Sequence, residues 1–442
     1  MLVKNIGHAC LYIETQGLHI YTDLWFEHTM MGVCRRFPDF GEIEFNLPHP
    51  DYVLLSHHHW DHIIIESLAR LKKETQFIIP HNPQIWHILN ELGFKNITQL
   101  HAWQEYFIGS VKIIGTPSHV PFGELGFYIE DEKDAFLTLV DSVFRHEDIL
   151  KINKISKGKL RFCFAPYQSY NEMDVILRRD FMPDGRDLKK NAFYLKDLKV
   201  DLLIAYADGL YYPQSEYMNK RSFAYTPFDF IDEILELNPK QKCSICNPFD
   251  EFYSNSGQLQ IKRYGQLEMK DLIALYSDFR SFDKNYSLEV SKSYRGRKIG
   301  KNEKKRIKKY FENEYLNKFD QSQMVHFLDL NLIFGLSILG LEFAIKVDFV
   351  NLSSQVVKKS ELSKCNSRLQ IRADHLLDLL DSKELLTRLM QSDEIALSGE
   401  DYKKSYKALD ALKYGGFEDK YHLDKYIKFT SNKSLSYTTL DS

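Results

Sequence analysis

The run Leu54-Leu55-Ser56-His57-His58-His59-Trp60-Asp61-His62 constrains this chain more than any other stretch. Four imidazoles and a carboxylate fall within six residues, directly after Tyr52 to Leu55, which reads as a buried strand. Two imidazoles two residues apart on extended backbone project to one side and can share an ion. Asp61 and His62, where the chain turns into the next helix, can serve a second ion. A chance histidine-rich loop is a poor account, because several metal-competent groups seldom gather without a role. The chain must therefore end a strand at a polar turn and pass into a helix, which implies an α/β frame.

Two later residues extend the cluster. His119 closes Gly115-Thr116-Pro117-Ser118-His119, just past the strand Val111 to Thr116, and Asp141 follows the strand Ala135 to Val140. Taken singly, each also fits a surface or capping residue. In chain order after the cluster, His119 is expected to join His57 and His59 on a first ion. Asp141 is then expected to bridge to a second ion held by Asp61 and His62. Asp61 and His119 are also the expected catalytic groups. The expected cofactor is one or two divalent metal ions, zinc foremost, with iron or manganese suited to the same donors.

The surroundings fit this frame. Cys10 to Glu14 and His19 to Tyr21 flank Gln16-Gly17 and predict a hairpin. Helical periodicity is expected over Ile63 to Lys73, over Ile85 to Leu92 closed by Gly93, and over Phe228 to Leu237. Further strands are expected at Phe77 to Ile79, Leu202 to Ala205 and Lys242 to Cys246. Residues 1–265 are read as one catalytic domain, 266–323 as a basic helical linker, and 324–442 as a small α+β domain. Residues 291–309 carry a single acid, Glu303, and read first as a solvated face, second as an anion grip. The apolar stretch Val325 to Val347 is broken by Asp329, Asn331, Glu342 and Lys346, so a pair of buried strands is expected there rather than a membrane span. A formal net charge of −3 makes nucleic acid an unexpected partner. Six scattered cysteines give no disulfide framework, and the N-terminus has no signal-peptide pattern, so a cytoplasmic location is expected. The pair Cys243 and Cys246 reads as packing rather than redox chemistry.

With the segments Ile6-Gly7-His8-Ala9-Cys10 and Tyr21-Thr22-Asp23-Leu24-Trp25 added, the sequence resembles the metallo-β-lactamase superfamily. The branch it looks like contains CMP-N-acetylneuraminate hydroxylase and N-acyl-phosphatidylethanolamine phospholipase D. Asp201 to Gly209 and Cys246-Asn247-Pro248-Phe249 are more similar to the hydroxylase. The resemblance covers roughly residues 1–265. It implies an αββα sandwich with the metal site along one edge, followed by a smaller C-terminal α+β domain. Arg368 to Ile371 and the helices after it are similar to the sterol-carrier-like tail of that branch.

Two departures matter. Asn247 takes the place of a terminal histidine ligand, which leaves the second ion weakly held, absent, or served by Asp208 or Asp250. No cysteine is followed by histidine at the spacings of a Rieske centre, so an oxygenase would need a separate electron-transfer protein.

The first functional reading is a metal-dependent hydrolase acting on an anionic small molecule, such as a phosphoester or nucleotide-linked sugar. The alternative is an iron-dependent hydroxylase of a nucleotide-linked amino sugar, and a third reading is a non-catalytic binding module. Arg178, Arg179, Arg186 and Arg221 are expected in long connections that overhang the site and meet the anion.

Overall fold

The computed structural model describes residues 1–30, 32–41, 47–167, 186–207, 209–213, 215–265, 267–279, 297–391, 395–399, 402–417 and 420–435. Two large sheets form its first part. The first has eight strands in the order Gln258–Lys262, Glu251–Asn255, Leu2–Gly7, Cys10–Thr15, Leu18–Thr22, Tyr52–Leu54, Gln76–Pro80 and Ile97–Leu100. The second has seven, in the order Cys243–Ile245, Leu202–Tyr206, Leu160–Pro166, Ala135–Thr138, Leu125–Glu130, Val111–Pro117 and Glu105–Ile108.

The sequence explains why these strands lie inside. Apolar side chains occupy both faces, as expected where helices cover a sheet that also packs on another sheet. In Leu160–Pro166, Phe162 and Phe164 point into the core between the sheets, while Cys163 and Ala165 pack outward. Leu54 and Ile78 face that same inter-sheet core from the first sheet, and their neighbours Val53, Phe77 and Ile79 face the opposite side. Helices His146–Ser156, Arg186–Leu195 and Pro227–Leu237 cover the second sheet, through Ile149, Ile152, Leu188, Ala192, Phe230 and Ile234. Helices Ile65–Ala69 and Pro83–Glu91 cover the first. The result is the αββα sandwich expected from the sequence.

The hairpin at Gln16-Gly17 forms as expected, with positive φ at both residues, 51° and 75°, as a type I′ turn requires. The helix expected over Ile63 to Lys73 shrinks to Ile65–Ala69, because Ile64 holds extended backbone (φ −90°, ψ 103°) while staying buried. The longer helix Pro83–Glu91 starts where Asn82 accepts from the amides of Gln84 and Ile85.

A third sheet of five strands, Ser353–Lys358, Phe343–Asp348, Ile333–Leu339, Ser367–Arg372 and Ile395–Gly399, builds the C-terminal part. The expected pair of strands from Val325 to Val347 needs correction at its start. Gln321–Asp329 is a helix, because Asp320 and Gln323 form a reciprocal capping box that fixes its first turn. In the segment read as a linker, Ile307, Tyr310, Phe311 and Tyr315 are buried in the same apolar cluster as Phe334, Leu336 and Ile345 of the third sheet. That cluster continues without a break to Ile65, Ile85 and Leu89 on the first sheet's helices. The C-terminal helix Lys420–Leu435 lies directly against Ile65–Ala69 and Pro83–Glu91. Among the described residues no helix is long and apolar enough to cross a membrane.

Candidate metal centre

The parallel strands Leu18–Thr22 and Tyr52–Leu54 run side by side and stop together, so Asp23 and the histidine run leave the sheet at one edge. The second sheet ends Ala135–Thr138 just before Asp141, facing the same crevice. Polar groups at the carboxyl ends of parallel strands are where α/β folds place ligands.

His62 sits at the middle. Its Nε2 lies 3.1 Å from Asp141 Oδ2, 3.5 Å from Asp61 Oδ2 and 3.4 Å from His8 Nε2. His8 Nε2 is also 3.1 Å from Asp61 Oδ2. Two sets of donor atoms are thereby gathered closely enough to hold an ion, His8 with Asp61 and His62, and His57 with His62 and Asp141. On its far side His62 meets Asp23, Nδ1 to Oδ2 at 2.9 Å. Asp23 is fully buried and accepts from the Ser56 amide at 2.8 Å and the Ser56 hydroxyl at 2.7 Å. A carboxylate behind an imidazole fixes ring orientation and tautomer and raises its basicity, the usual support for a metal-binding histidine.

His57 and His59 approach each other, Nε2 to Nδ1 at 2.9 Å, with Phe122 packed over both rings. His58 turns away, its Nδ1 3.0 Å from the Asn82 side-chain nitrogen. The electrostatics suit a cation. Burial, with His62 and His59 close by, pushes His57 well below the usual histidine range, so it is neutral and its lone pair is available. Burial alone would lower His62 too, but Asp61, Asp141 and Asp23 together hold it well above that range. Asp61, despite burial, is held well below the usual carboxylate range by His62 and His8. In the protein without an ion, a proton on His62 thus occupies a position made for positive charge. The donor set of imidazoles and carboxylates fits zinc, iron or manganese.

Sequence reasoning missed three residues here. His8 lies in the tight connection between the first two strands (φ 47°), far upstream of the histidine run. Asp23 supports His62 from behind. Glu124 is buried at the same crevice, and its Oε1 has no hydrogen-bond partner. Burial pushes its carboxyl up to about 7, with Asp141 and Asp23 adding to the rise and Ser118 and His62 opposing it. A carboxyl that titrates near 7 when folded and near 4.5 when unfolded favours folding at low pH, and that contribution is lost as pH rises through 7. Between those limits the metal-stripped protein is expected to lose on the order of 3 kcal/mol of stability relative to Glu124→Gln. Urea midpoints measured across pH check this, and parallel profiles for the two proteins would remove Glu124 from the buried charge set.

The other expected residues fall differently. The Nε2 of His119 lies 2.8 Å from Asp148 Oδ2, at the start of helix His146–Ser156, which leaves Nδ1 as its uncommitted ring nitrogen. Asn247 is buried, its side-chain oxygen accepts from the Tyr276 hydroxyl at 3.4 Å, and its backbone N–H donates to Asp250. Asp250 is fully buried and taken up by Arg263 at 2.5 Å. Arg221 was expected in a connection overhanging the crevice; it lies instead on helix Glu216–Ser222 and is buried. Arg186 starts helix Arg186–Leu195. Arg178, Arg179 and Asp208 fall outside the described residues. Burial pushes the Cys243 thiol up to about 11 and holds Cys246 well above the usual thiol range, which suits packing rather than thiolate chemistry.

Known proteins resemble part of this chain. Residues 2–133 match the model of the beta-lactamase superfamily domain. A metal-dependent hydrolase of Flavobacterium johnsoniae is 29% identical over 195 residues, covering 41% of this chain and 80% of that protein. The 4-amino-L-phenylalanyl-(CmlP-peptidyl-carrier-protein) 3-hydroxylase of Streptomyces venezuelae is 24% identical over 134 residues, 28% of this chain and 24% of the enzyme. The mitochondrial N-acyl-phosphatidylethanolamine-hydrolyzing phospholipase D of Saccharomyces cerevisiae is 30% identical over 105 residues, 22% of either chain. The chain thus spans most of the first relative and about a quarter or less of the other two.

Proposed function

We propose that this chain, whose residues 2–133 match the beta-lactamase superfamily domain, is a metal-dependent hydrolase of an anionic small molecule, of the phosphoester or nucleotide-linked sugar class. The observation that carries this reading is His62, shared between two sets of donor atoms and fixed from behind by Asp23.

An ion bound there would polarise an ester oxygen and bring a bound water's pKa towards neutrality. His57, His59, His62, Asp61, Asp141 and His8 are the side chains proposed to hold one or two such ions, with His119 joining through Nδ1. Asp61, whose Oδ2 pairs with His8 and His62, would take the proton from a bound water. Phe122 covers the imidazoles and limits solvent on that side. Support for an anionic substrate comes from a concave region of about 570 Å³ beside His119, where the cations Arg145 and Lys190, with His146 and Tyr194, outnumber the single acid Glu147.

Glu124 favours a second reading. A further buried carboxyl beside Asp141 makes the donors richer in oxygen, which suits iron and an oxygen-dependent hydroxylation, and the Streptomyces relative is named as a hydroxylase. Electrons for that reaction would come from a separate electron-transfer protein. Metal analysis of protein purified without added metal separates the two readings. Zinc, with turnover of a phosphoester such as a nitrophenyl phosphodiester, is the expected result. Iron with reductant-dependent oxygen consumption would replace hydrolase by hydroxylase, and no bound metal would sink both.

A further inference from the structure

A second cluster of metal-competent side chains lies on the opposite layer, where the C-terminal helix meets the first sheet's helices. His87 and Glu91 are four residues apart on helix Pro83–Glu91, so they share one face. Asp424 of helix Lys420–Leu435 reaches them, its Oδ1 2.6 Å from His87 Nε2. One ligand atom from each residue lies within 4.8 Å of the other two. All three are partly buried, with side-chain exposures of 21%, 30% and 27% for His87, Glu91 and Asp424, so water can complete a coordination shell. Lys428 Nζ stands 3.9 Å from Glu91 Oε2, and with its side chain 68% exposed it can swing into solvent as an ion binds.

The geometry points to a structural divalent-metal site, of the zinc class, formed by His87, Glu91 and Asp424. One imidazole and two carboxylates at this separation can close around an ion of zinc's size with water as a fourth ligand. Two donors come from near the start of the chain and one from near its end, so a bound ion clips the C-terminal helix onto the sandwich. Metal that binds only the folded form raises its stability with concentration.

The test uses the full chain, with its central site first filled with zinc and excess metal removed. Titration with zinc alone, followed by calorimetry and by the thermal unfolding midpoint, is expected to show one further binding event and a rising midpoint. His87→Ala should lose that event while keeping the metal content of the central site. Glu91→Gln, which leaves the His87–Asp424 pair intact, should weaken it at least tenfold. The proposal is overturned if the parent shows no further event, or if either variant binds the added zinc as the parent does.

Discussion

Alanine in place of His62 is expected to empty the central site and reduce turnover by about a thousandfold or more, because an ion at a reacting oxygen contributes several kcal/mol. The size follows from where the ring sits. His62 belongs to both gathered sets of donors, so losing it leaves each with two of its three groups. His57 with Asp141, and His8 with Asp61, would then each offer a weaker, more open site. The fold should survive, since Asp23 would still accept two hydrogen bonds from Ser56. The companion change Asp23→Asn keeps the imidazole but removes the carboxylate behind it, and should cost roughly 10- to 100-fold in metal affinity. Metal content by atomic emission, together with near-ultraviolet circular dichroism, reads both effects. Full metal content in His62→Ala, with native packing, would show that the ion binds elsewhere.

The parts of this site that could be read from sequence are those held together by local spacing. His57, His59, Asp61 and His62 announce themselves because strand and turn geometry alone bring them to one side. Asp141 was legible as a polar residue at a strand end, and it does reach His62. His8, Asp23 and Glu124 were not, because only the pairing of distant strands delivers them. Asp23 joins Ser56 because Leu18–Thr22 and Tyr52–Leu54 stop in parallel register. Glu124 is buried because Leu125 donates to the Ser56 carbonyl, and because Gly123 lets the chain pass close to His81, where a Cβ would lie 2.2 Å from the carbonyl oxygen. Arg221 misleads for the opposite reason. An arginine in a stretch read as a long connection is taken for a ligand-facing group, yet Arg221 lies on helix Glu216–Ser222 and is buried. The third sheet was legible as apolar runs, but the capping box at Asp320 converted the first of them to helix, a local signal stronger than hydrophobic pattern.

Arg36 is the residue outside the donor set whose replacement should do the most damage. It is almost fully buried, and its guanidinium donates to three carbonyls: Ile6 at 2.7 Å, Trp25 at 2.7 Å and Glu27 at 2.8 Å. The same group lies over the Trp25 ring, 4.1 Å from its centroid. Burial lowers its pKa to about 10, against the pull of Cys10 and Glu27, so it remains charged at neutral pH. Its side chain also passes beneath Gly7, where a Cβ would come within 2.8 Å of it and φ is +135°. Only glycine fits there, and the next residue is His8. Arg36 therefore ties the strand end that presents His8 to the segment that follows Asp23. Arg36→Met keeps most of the volume but leaves the three carbonyls without that donor, and should destabilise the protein by about 3–5 kcal/mol. Arg36→Lys should recover only part of this, since one ammonium cannot reproduce the planar fork that reaches three acceptors at once. Because the damage lands on the His8 connection, metal affinity in surviving folded protein should fall more for the ion nearest His8 than for the one nearest His57. Urea unfolding measures the first effect, and chelator competition on the folded fraction measures the second. Unchanged midpoints for both variants would mean that Arg36 merely fills space. A lower midpoint with untouched metal affinity would separate its structural role from any hold on His8.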